Sequence, residues 1–341
     1  MKRQRTPMIS TRSWKDMADN KGILCIGMAL VDSIIKGFDP EPVSATGFRA
    51  ASGSLNVGGE AVNEAMAASK LGQKTAIMCA LGNDAAGDTV LSALDRNGVD
   101  THLVIRGNDH STPVTTMFVN DDGTRKSITN TAHRYNFHPE RYTDVIKGFS
   151  AVILGSLFRA PFDDPDIITA VLKDAKRAGL LTAADTKLPN FSFLTLDDIK
   201  TALPYIDYIT PNEDEAAYFT GKNDPSGMAG VFLDNGVKNV IIKLGSRGCY
   251  FENRDRNIRL DACDIEAVDA TGAGDNFVAG FISRLLDGYS PEEALVFANA
   301  CGAICTTAVG ADTALKNKEQ VMRFIKENVT GRTGTKGGVW G

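Results

Sequence analysis

The sequence lacks a hydrophobic run long enough to cross a membrane. Its most apolar stretch is ILCIGMALV, at residues 23–31, and a membrane-spanning helix needs roughly 20 apolar residues, about twice that length. The opening MKRQRTPMISTRSWKDMADNK is polar and basic, without the continuous apolar segment of a secretory signal. We therefore predict a cytoplasmic protein with no membrane partner and with flexible tails at residues 1–21 and 331–341.

The chain also lacks an excess of charge of one sign and lacks paired cysteines. Its 37 Lys and Arg residues stand against 42 Asp and Glu residues, a net charge of -5, so no nucleic-acid partner is expected. The six cysteines form no C-x-x-C pair, which predicts buried, reduced thiols. Cys301 and Cys305 are one helical turn apart, but no nearby histidine completes a zinc site. A small molecule is the favoured partner.

What the sequence does contain is an alternation of short β-branched runs with helical patterns that end at glycine. Near-continuous apolarity is typical of parallel strands covered on both faces. The helical patterns end at Gly72, Gly98, Gly179 and Gly221, and Ser290 opens another helix that runs to about Thr307. This rhythm predicts an α/β fold with a mostly parallel central sheet. The candidate strands are residues 23–28, 75–80, 151–155, 180–185, 206–210 and 239–244.

Two segments interrupt this rhythm, at about residues 33–57 and 101–131. Both are rich in turn residues and in alternating strand patterns, and NDDG at 120–123 is a plausible hairpin turn. They predict either an antiparallel lid over the sheet or two unrelated surface excursions. Because exposed strands often pair between subunits, we expect a homodimer through these lid segments.

The most informative stretch is DATGAGDNFVAGF at residues 269–281. Apolar residues recur at helical spacing after Asp275, so TGAGD lies at the start of a helix, where backbone N–H groups are unpaired. Gly272 and Gly274 permit unusual φ values and close approach, so these N–H groups can converge on an anion. A carboxylate beside an anion hole suits phosphoryl transfer, because it can accept a proton from the attacking hydroxyl. A helix-capping Asp after a flexible turn is the alternative, but it leaves the paired glycines unexplained.

This stretch closely resembles the second signature of the ribokinase-like (PfkB) carbohydrate kinases. VGGEAVNEAMAASKLG with LGNDAAGD, residues 57–72 and 81–88, resembles the first signature. The resemblance spans about residues 22–328 and implies a ribokinase-like, three-layer α/β/α kinase domain at 22–330 with a small β lid. It also implies ATP as phosphate donor, Mg²⁺ as cofactor and, for some members, a monovalent cation such as K⁺ bound near Asp269, Thr271 and Gly310.

The same resemblance implies a role for individual residues. Asp275 would be the base, and Gly272, Ala273 and Gly274 would form the anion hole. The acceptor would be held by Asp32, Gly58, Gly59 and Asn63. Asn212 and Glu215, in TPNEDEA, would orient Mg²⁺ through water, although Asn212 also fits a helix N-cap. Residues at the nucleotide would be Lys243, Gly245, Gly248, Thr271, Gly272, Gly274 and Asn299.

The identity of the acceptor stays open. ADTKLP stands where many relatives carry D-x-N-x-R, so Asp185 matches and Lys187 replaces the Asn. Lys187, Arg49, Arg106 or Arg134 could bind an acidic or phosphorylated sugar, or could be solvated surface charges. The sequence predicts an ATP-dependent sugar kinase that phosphorylates a hydroxyl group, and we expect a primary hydroxyl. The alternatives are a nucleoside or phosphosugar kinase and a noncatalytic sugar or nucleotide sensor. A nicotinamide dehydrogenase is disfavoured, because only Gly27 follows the first strand.

Overall fold

The computed structural model describes residues 22–37, 50–120, 125–130, 137–189 and 193–328. The expected tails lie outside these residues, as do 38–49, 121–124 and Thr131 of the lid segments. The strands are β1 (Ile23–Ile26), β2 (Leu30–Lys36), β3 (Ser52–Gly58), β4 (Thr75–Met78), β5 (Ala80–Gly82), β6 (Ile105–Gly107), β7 (Val114–Val119), β8 (Arg125–Thr129), β9 (Ala151–Leu157), β10 (Leu181–Thr186), β11 (Tyr208–Ile209), β12 (Asn239–Lys243), β13 (Cys249–Asn253) and β14 (Asn257–Leu260). The α-helices are α1 (Glu60–Lys70), α2 (Ala85–Arg96), α3 (Thr143–Ile146), α4 (Pro165–Arg177), α5 (Glu213–Thr220), α6 (Pro225–Asp234), α7 (Ala273–Leu286), α8 (Pro291–Cys305) and α9 (Lys318–Asn328).

An eight-stranded sheet forms the centre, in the order β14-β13-β12-β11-β10-β9-β1-β4. The six strands from β12 to β4 are parallel, which confirms each of the six candidate strands. The sequence reading missed β13 and β14, which add to one edge as antiparallel strands. Their side chains are only partly apolar because the edge is half exposed, so no continuous hydrophobic run marks them.

Helices cover both faces of this sheet and create two hydrophobic cores. Alternate residues of β1 show the division, because Ile23 and Cys25 enter one core and Leu24 and Ile26 enter the other. Helices α1, α7 and α8 pack on the first face, and α4 and α6 pack on the second. The predicted three-layer α/β/α class is therefore confirmed. All six cysteines are free thiols; five are buried, and Cys263 is partly exposed.

The helix ends follow the glycine signals. Gly72, Gly98, Gly179 and Gly221 all have positive φ angles directly after helices, as expected for C-terminal caps. Helix α8 begins after Ser290, as the sequence predicted, and Ser290 caps it in a capping box with Glu293. Across the described ranges, no helix combines the length and apolar character that crossing a bilayer requires.

The lid segments contribute a second, four-stranded sheet in the order β3-β2-β7-β8, called here the lid sheet. It differs from the antiparallel expectation, because its central pair β2 and β7 is parallel. The two outer pairs, β2 with β3 and β7 with β8, are antiparallel. The lid sheet is therefore two antiparallel ribbons joined side by side, and sequence alternation cannot specify the direction of such a join.

Candidate active site

Asp275 lies in the first turn of α7, at the carboxyl edge of the parallel strands, and its side chain is nearly buried. Only 9% of the residue is exposed. The Nδ2 group of Asn63, on α1, donates a hydrogen bond of 2.6 Å to Asp275 Oδ2. Helices α1 and α7 pack against each other, which brings together two residues that are 212 positions apart in the chain. The predicted base and one of the predicted acceptor residues thus meet.

Glycine is needed at the two positions of the turn, 272 and 274, for different physical reasons. Gly272 has φ 77° and precedes α7, and a Cβ there would lie 2.2 Å from the Cβ of Ala311. A Cβ on Gly274 would instead lie 3.1 Å from Lys243 Nζ. Gly272 is therefore needed for backbone shape and packing. Gly274 leaves room for an ammonium group beside the turn.

The N–H groups of the turn are only partly used by the protein. Ala273 N–H donates to the carbonyl of Ala270 at 3.2 Å. In the described part of the chain, the N–H groups of Gly272, Gly274 and Asp275 have no protein acceptor. Two of the three predicted anion-hole residues, together with Asp275 itself, can therefore offer N–H groups to an anion.

A carboxylate holds this turn against a neighbouring loop. Asp269 Oδ1 accepts from Thr271 N–H at 3.0 Å and from Thr271 Oγ1 at 2.7 Å. Its Oδ2 accepts from Gly310 N–H at 3.0 Å. In the region expected to bind a monovalent cation, these hydrogen bonds therefore fix Thr271 and the Gly310 loop together.

The acceptor side is built where β3 ends and α1 begins. Asp32 lies on β2 of the lid sheet, and a Cβ on Gly58 would come within 2.5 Å of its Oδ2. Gly59 has φ 101°, and a Cβ there would lie 2.2 Å from the carbonyl oxygen of Met28. Both glycines are therefore required by close packing, which brings the start of α1 beneath Asp32.

Asp185, near the end of β10, faces Lys243 at the end of β12. Lys243 Nζ lies 2.5 Å from Asp185 Oδ1, which also accepts from Thr210 Oγ1 at 2.7 Å. Burial would lower the pKa of Lys243, but the charges of Asp185 and Glu215 outweigh it and raise that pKa. Lys243 therefore stays a cation, and its ammonium group lies beside the Gly274 turn.

Lys187 forms an ion pair that the sequence did not indicate. Its Nζ lies 2.8 Å from Glu60 Oε1, and Ser156 Oγ donates to Glu60 Oε2. Burial would raise the pKa of Glu60, but the charge and hydrogen bond of Lys187 outweigh it and lower the pKa to about 2. The charge of Lys187 is therefore compensated within the protein.

Among the described residues, no contact joins the other candidate cations to the site around Asp275. Arg106, on β6, donates to Asn83 Oδ1 at 3.1 Å and to Asp88 Oδ1 at 3.0 Å. These contacts belong to the start of α2. Arg49 and Arg134 lie outside the described residues.

Sequence reasoning missed two acidic residues of α1, Glu60 and Glu64. Glu64 is fully buried, and neither of its carboxyl oxygens has a hydrogen-bond partner among the described residues. Burial raises its pKa well above the usual value, and the charges of Asp185 and Asp275 act in the same direction. The signal was present in the sequence, because Glu60, Asn63 and Glu64 are spaced i, i+3 and i+4 and so share one helix face.

The surroundings raise the pKa of two carboxylates of the site, Asp275 and Asp32. Burial raises the pKa of Asp275 to about 7, assisted by Glu60 and Asp185 and opposed by Lys187 and the Asn63 hydrogen bond. Burial, with Glu60, raises the pKa of Asp32 to about 6. A carboxylate with a pKa near neutrality is well suited to accept a proton from a hydroxyl group.

Asn212 and Glu215 form a capping box at the start of α5. Asn212 Oδ1 accepts from Glu215 N–H at 2.9 Å, and Glu215 Oε2 accepts from Asn212 N–H at 3.0 Å. Thr186 Oγ1 also donates to Glu215 Oε2, at 2.8 Å. Glu215 Oε1 has no such partner among the described residues, so it is the oxygen that a water on Mg²⁺ could reach. Within the described ranges, no three His, Cys, Asp or Glu side chains are grouped to bind a metal directly.

The expected nucleotide residues adjoin through the loop after β14. Gly248 has φ 84°, and a Cβ on it would lie 1.9 Å from the carbonyl oxygen of Leu260. Asn299, on α8, donates to the carbonyl of Asp261 at 2.7 Å. Gly245, with φ 59°, opens the short turn that leads from β12 to Gly248. Asn299 belongs to α8, which packs against α7 and contacts β14.

Comparison with known proteins gives consistent findings. A family model described as pfkB family carbohydrate kinase matches residues 20–318. Probable fructokinase-5 of Arabidopsis thaliana is 29% identical over 325 residues, which cover 91% of this chain and 99% of that protein. Ribokinase of Haemophilus influenzae is 29% identical over 280 residues, which cover 79% and 87% of the two chains. The structure of Arabidopsis thaliana ribokinase complexed with ribose and ATP is similar with a TM-score of 0.80 at 25% identity, covering 90% of this chain and 99% of that one.

Proposed function

Because the chain belongs to the pfkB family of carbohydrate kinases, we propose that it transfers the γ-phosphate of ATP to a primary hydroxyl group of a small sugar. The observation that carries this proposal is the Asp275 carboxylate, held by Asn63 beside a turn in which the N–H groups of Gly272, Gly274 and Asp275 have no acceptor among the described residues. A base and an anion hole at one helix start supply the two things that phosphoryl transfer to an alcohol needs. A single domain over residues 22–330 would perform the reaction.

In the proposed reaction Asp275 takes the proton of the acceptor hydroxyl while the hydroxyl oxygen attacks the γ-phosphorus of ATP. The bond from that phosphorus to the β,γ-bridging oxygen breaks, and ADP leaves. Asp32, Gly58, Gly59 and Asn63 hold the sugar so that this hydroxyl faces Asp275. The N–H groups of Gly272, Gly274 and Asp275 stabilise the negative charge on the transferring group. The N–H of Ala273 adds less, because Ala270 already accepts its hydrogen bond.

The donor side of the proposal rests on the residues around Lys243. Its ammonium group, beside Gly274, would neutralise charge on the phosphates of ATP. Thr271, Gly245, Gly248 and Asn299 would line the nucleotide. When bound with ATP, Mg²⁺ would neutralise the charge that develops across the phosphates. Glu215 would hold its hydration water, while Asn212 fixes Glu215 through the capping box.

The lid sheet and its outer strands support two further parts of the proposal. Asp32 is carried by the lid sheet, so movement of that sheet over the sugar would complete the site and exclude water. The exposed Leu55 and Ile128 lie in one row across the sheet, through Ser33 and Thr116. A second copy of the chain that covers this row would form the homodimer. We also place the protein in the cytoplasm, where ATP is supplied, and assign K⁺ to the Asp269 and Gly310 region.

A panel of acceptors tests the proposal most directly. Free pentoses and hexoses, sugar acids, phosphosugars and nucleosides are each incubated with ATP and Mg²⁺, and ADP release and phosphorylated product are both measured. We expect a free sugar to be phosphorylated, in keeping with relatives named ribokinase and fructokinase. Preferential turnover of a nucleoside or phosphosugar would move the protein to another acceptor class. Nucleotide or sugar binding without product would indicate a sensor.

The variant Asp275→Asn serves as the matched control for that panel. It should still fold and bind ATP, but it should lose ~10²- to 10⁴-fold in kcat, which is the usual cost of losing a positioned base. Turnover close to that of the unchanged protein would exclude Asp275 as the base.

A further inference from the structure

The charges of the Glu60–Lys187 ion pair act on both Asp32 and Asp275, and the proposed function gives the pair no role. Glu60 is the first residue of α1, and Asn63, which holds Asp275, is in the same turn. Lys187 directly follows β10. The pair thus joins the helix that holds the base to the sheet that carries the rest of the site.

Both oxygens of Glu60 are engaged, and each engages a different strand. Oε1 lies 2.8 Å from Lys187 Nζ, and Oε2 accepts from Ser156 Oγ on β9. Lys187 N–H in turn donates to the carbonyl of Leu157 at 3.0 Å, which ties the end of β10 to β9. The first turn of α1 is therefore fixed at two points, and Asn63 is fixed with it.

Both charges of the pair act on Asp32 and on Asp275. Glu60 is the largest charge that raises the pKa of Asp275, and Lys187 opposes it. The same two residues act in the same opposite directions on Asp32. Lys187 itself has a raised pKa, first through the charge of Glu60, so it remains protonated. Removing one partner would leave the other as an unbalanced charge beside the base.

Other polar and titratable groups also interact with Asp275. From α1, β10, β12 and α8 they are Asn63, Glu64, Asp185, Lys243 and Cys305. Asp185 and Lys243 are paired with each other at 2.5 Å, and Glu64 has a strongly raised pKa through burial. The Glu60–Lys187 pair is thus the one whose two charges act on Asp32 and Asp275 together.

We propose that the Glu60–Lys187 ion pair is the positioning device of the base: it fastens the first turn of α1 to the ends of β9 and β10, and it balances the charge that Asp275 faces. This inference rests on the proposed function, in which Asp275 is the base. Its direct consequence is that the two partners act in opposite directions on the protonation of Asp275. Neither residue has to touch the reacting atoms.

The test is a titration of Asp275 in the whole protein without substrates. The carboxyl carbon is followed by NMR in protein labelled with ¹³C-aspartate, and its signal is assigned by its loss in Asp275→Asn. In Glu60→Gln, Lys187 is left unbalanced, so the titration midpoint should move to lower pH. In Lys187→Gln, the charge of Glu60 is left unbalanced, so the titration midpoint of Asp275 should move to higher pH. The double variant should lie between the two single variants.

Three further variants separate charge from other causes. Lys176→Gln removes a cation from the ion pair with Asp207, 2.5 Å long and on the opposite edge of the sheet, and should leave the midpoint unchanged. Ser156→Ala loosens the anchor without altering charge, so it should lower kcat more than it moves the midpoint. Glu60→Asp keeps the charge on a shorter arm and should restore the midpoint better than Glu60→Gln does.

Failure of this inference can be distinguished from failure of the proposed kinase function. With an active acceptor, kcat/KM of Lys187→Gln at pH 6 should fall by at least about tenfold, which is the usual effect of one lost opposite charge. If no acceptor is phosphorylated but the midpoints separate as stated, the kinase proposal fails and the charge balance stands. Folded single variants with unchanged midpoints, or with only a raised acceptor KM, would overturn the inference.

Discussion

Asp275 must be ionised before it can accept a proton from a sugar hydroxyl. Burial, Glu60 and Asp185 raise its pKa to about 7, so the carboxyl is protonated and inactive in acid and becomes a base as the pH rises through neutrality. We expect kcat/KM to increase up to about pH 7 and then to level off, falling by about tenfold per pH unit on the acid side. Steady-state rates at saturating ATP and Mg²⁺ would measure this.

Acid unfolding has to be separated from this titration. Circular dichroism over the same pH range provides the control, because a folded protein with falling kcat/KM locates the effect in the site. A rate that stays flat down to pH 5 would contradict the role of Asp275.

At the same scale, two glycines with nearly equal φ angles provide a matched pair. Gly272 and Gly179 have φ 77° and 79°, but only Gly272 has a close neighbour at the position of a Cβ, 2.2 Å away on Ala311. Gly179→Ala should cost about 1 kcal/mol, the penalty for a left-handed backbone. Gly272→Ala should cost roughly 1–3 kcal/mol more through overpacking, and it should lower turnover as the anion hole shifts.

Urea unfolding of the two variants measures the difference. Equal losses of stability would mean that the backbone angle alone requires glycine at residue 272. In that case the contact with Ala311 would not hold the turn in place.

At the scale of the elements, Asp207 joins the amino ends of β10, β11 and β12 to the carboxyl end of α4. Its carboxylate accepts from Lys176 Nζ at 2.5 Å, from Lys238 Nζ at 2.8 Å and from Thr182 N–H at 3.0 Å. Burial would raise its pKa, but the two lysines and Thr182 outweigh it and lower the pKa. Asp207→Ala should lower the free energy of unfolding by roughly 1–3 kcal/mol, because it leaves the buried N–H of Thr182 without its acceptor.

The pH dependence gives the sign of this contribution. Because the pKa of Asp207 is lowered by folding, its stabilisation is present above the unfolded-state pKa and is lost as the pH falls through the folded-state pKa. The control is Asp174→Ala, which breaks a surface pair with Arg177 at 3.2 Å and should cost less than about 1 kcal/mol. Similar chemical-denaturation midpoints for the two variants would refute a joining role for Asp207.

The elements also show which features of the fold and the site could be predicted from the sequence and why the others could not. Six parallel strands and the glycine-ended helices were predicted because each is encoded locally, by an apolar run or by a residue that accepts positive φ. The direction of the β2–β7 pair was not predicted, because pairing between distant segments leaves no local pattern. Glu60 was missed for a related reason, since its partners Lys187 and Ser156 lie about a hundred or more positions away.

At the scale of the whole molecule, the lid sheet predicts how two copies would assemble. Leu55 and Ile128 are 70% and 68% exposed, and their row lies on the face opposite Asp32, since neighbouring residues on β2 alternate sides. We expect a mass of two chains by light scattering at micromolar concentration. The double variant Leu55→Lys, Ile128→Lys should have the mass of one chain, because charges on the covered face oppose association.

The matched control for assembly is Tyr218→Lys. Tyr218 is 55% exposed but lies on α5 of the kinase core, so this variant should keep the mass of the unchanged protein. A single-chain mass for the unchanged protein would rule out the dimer.

The hydrogen bond between Asn63 and Asp275 Oδ2, 2.6 Å long, has a consequence for stereochemistry. Because Oδ2 already accepts one hydrogen bond, Oδ1 has more free lone pairs and is the better placed of the two oxygens to take a proton. An acceptor with several hydroxyl groups of similar acidity can then present only one of them productively. The choice among those hydroxyl groups would then depend partly on a single amide on a neighbouring helix, and Asn63→Ala should yield more product phosphorylated at other positions.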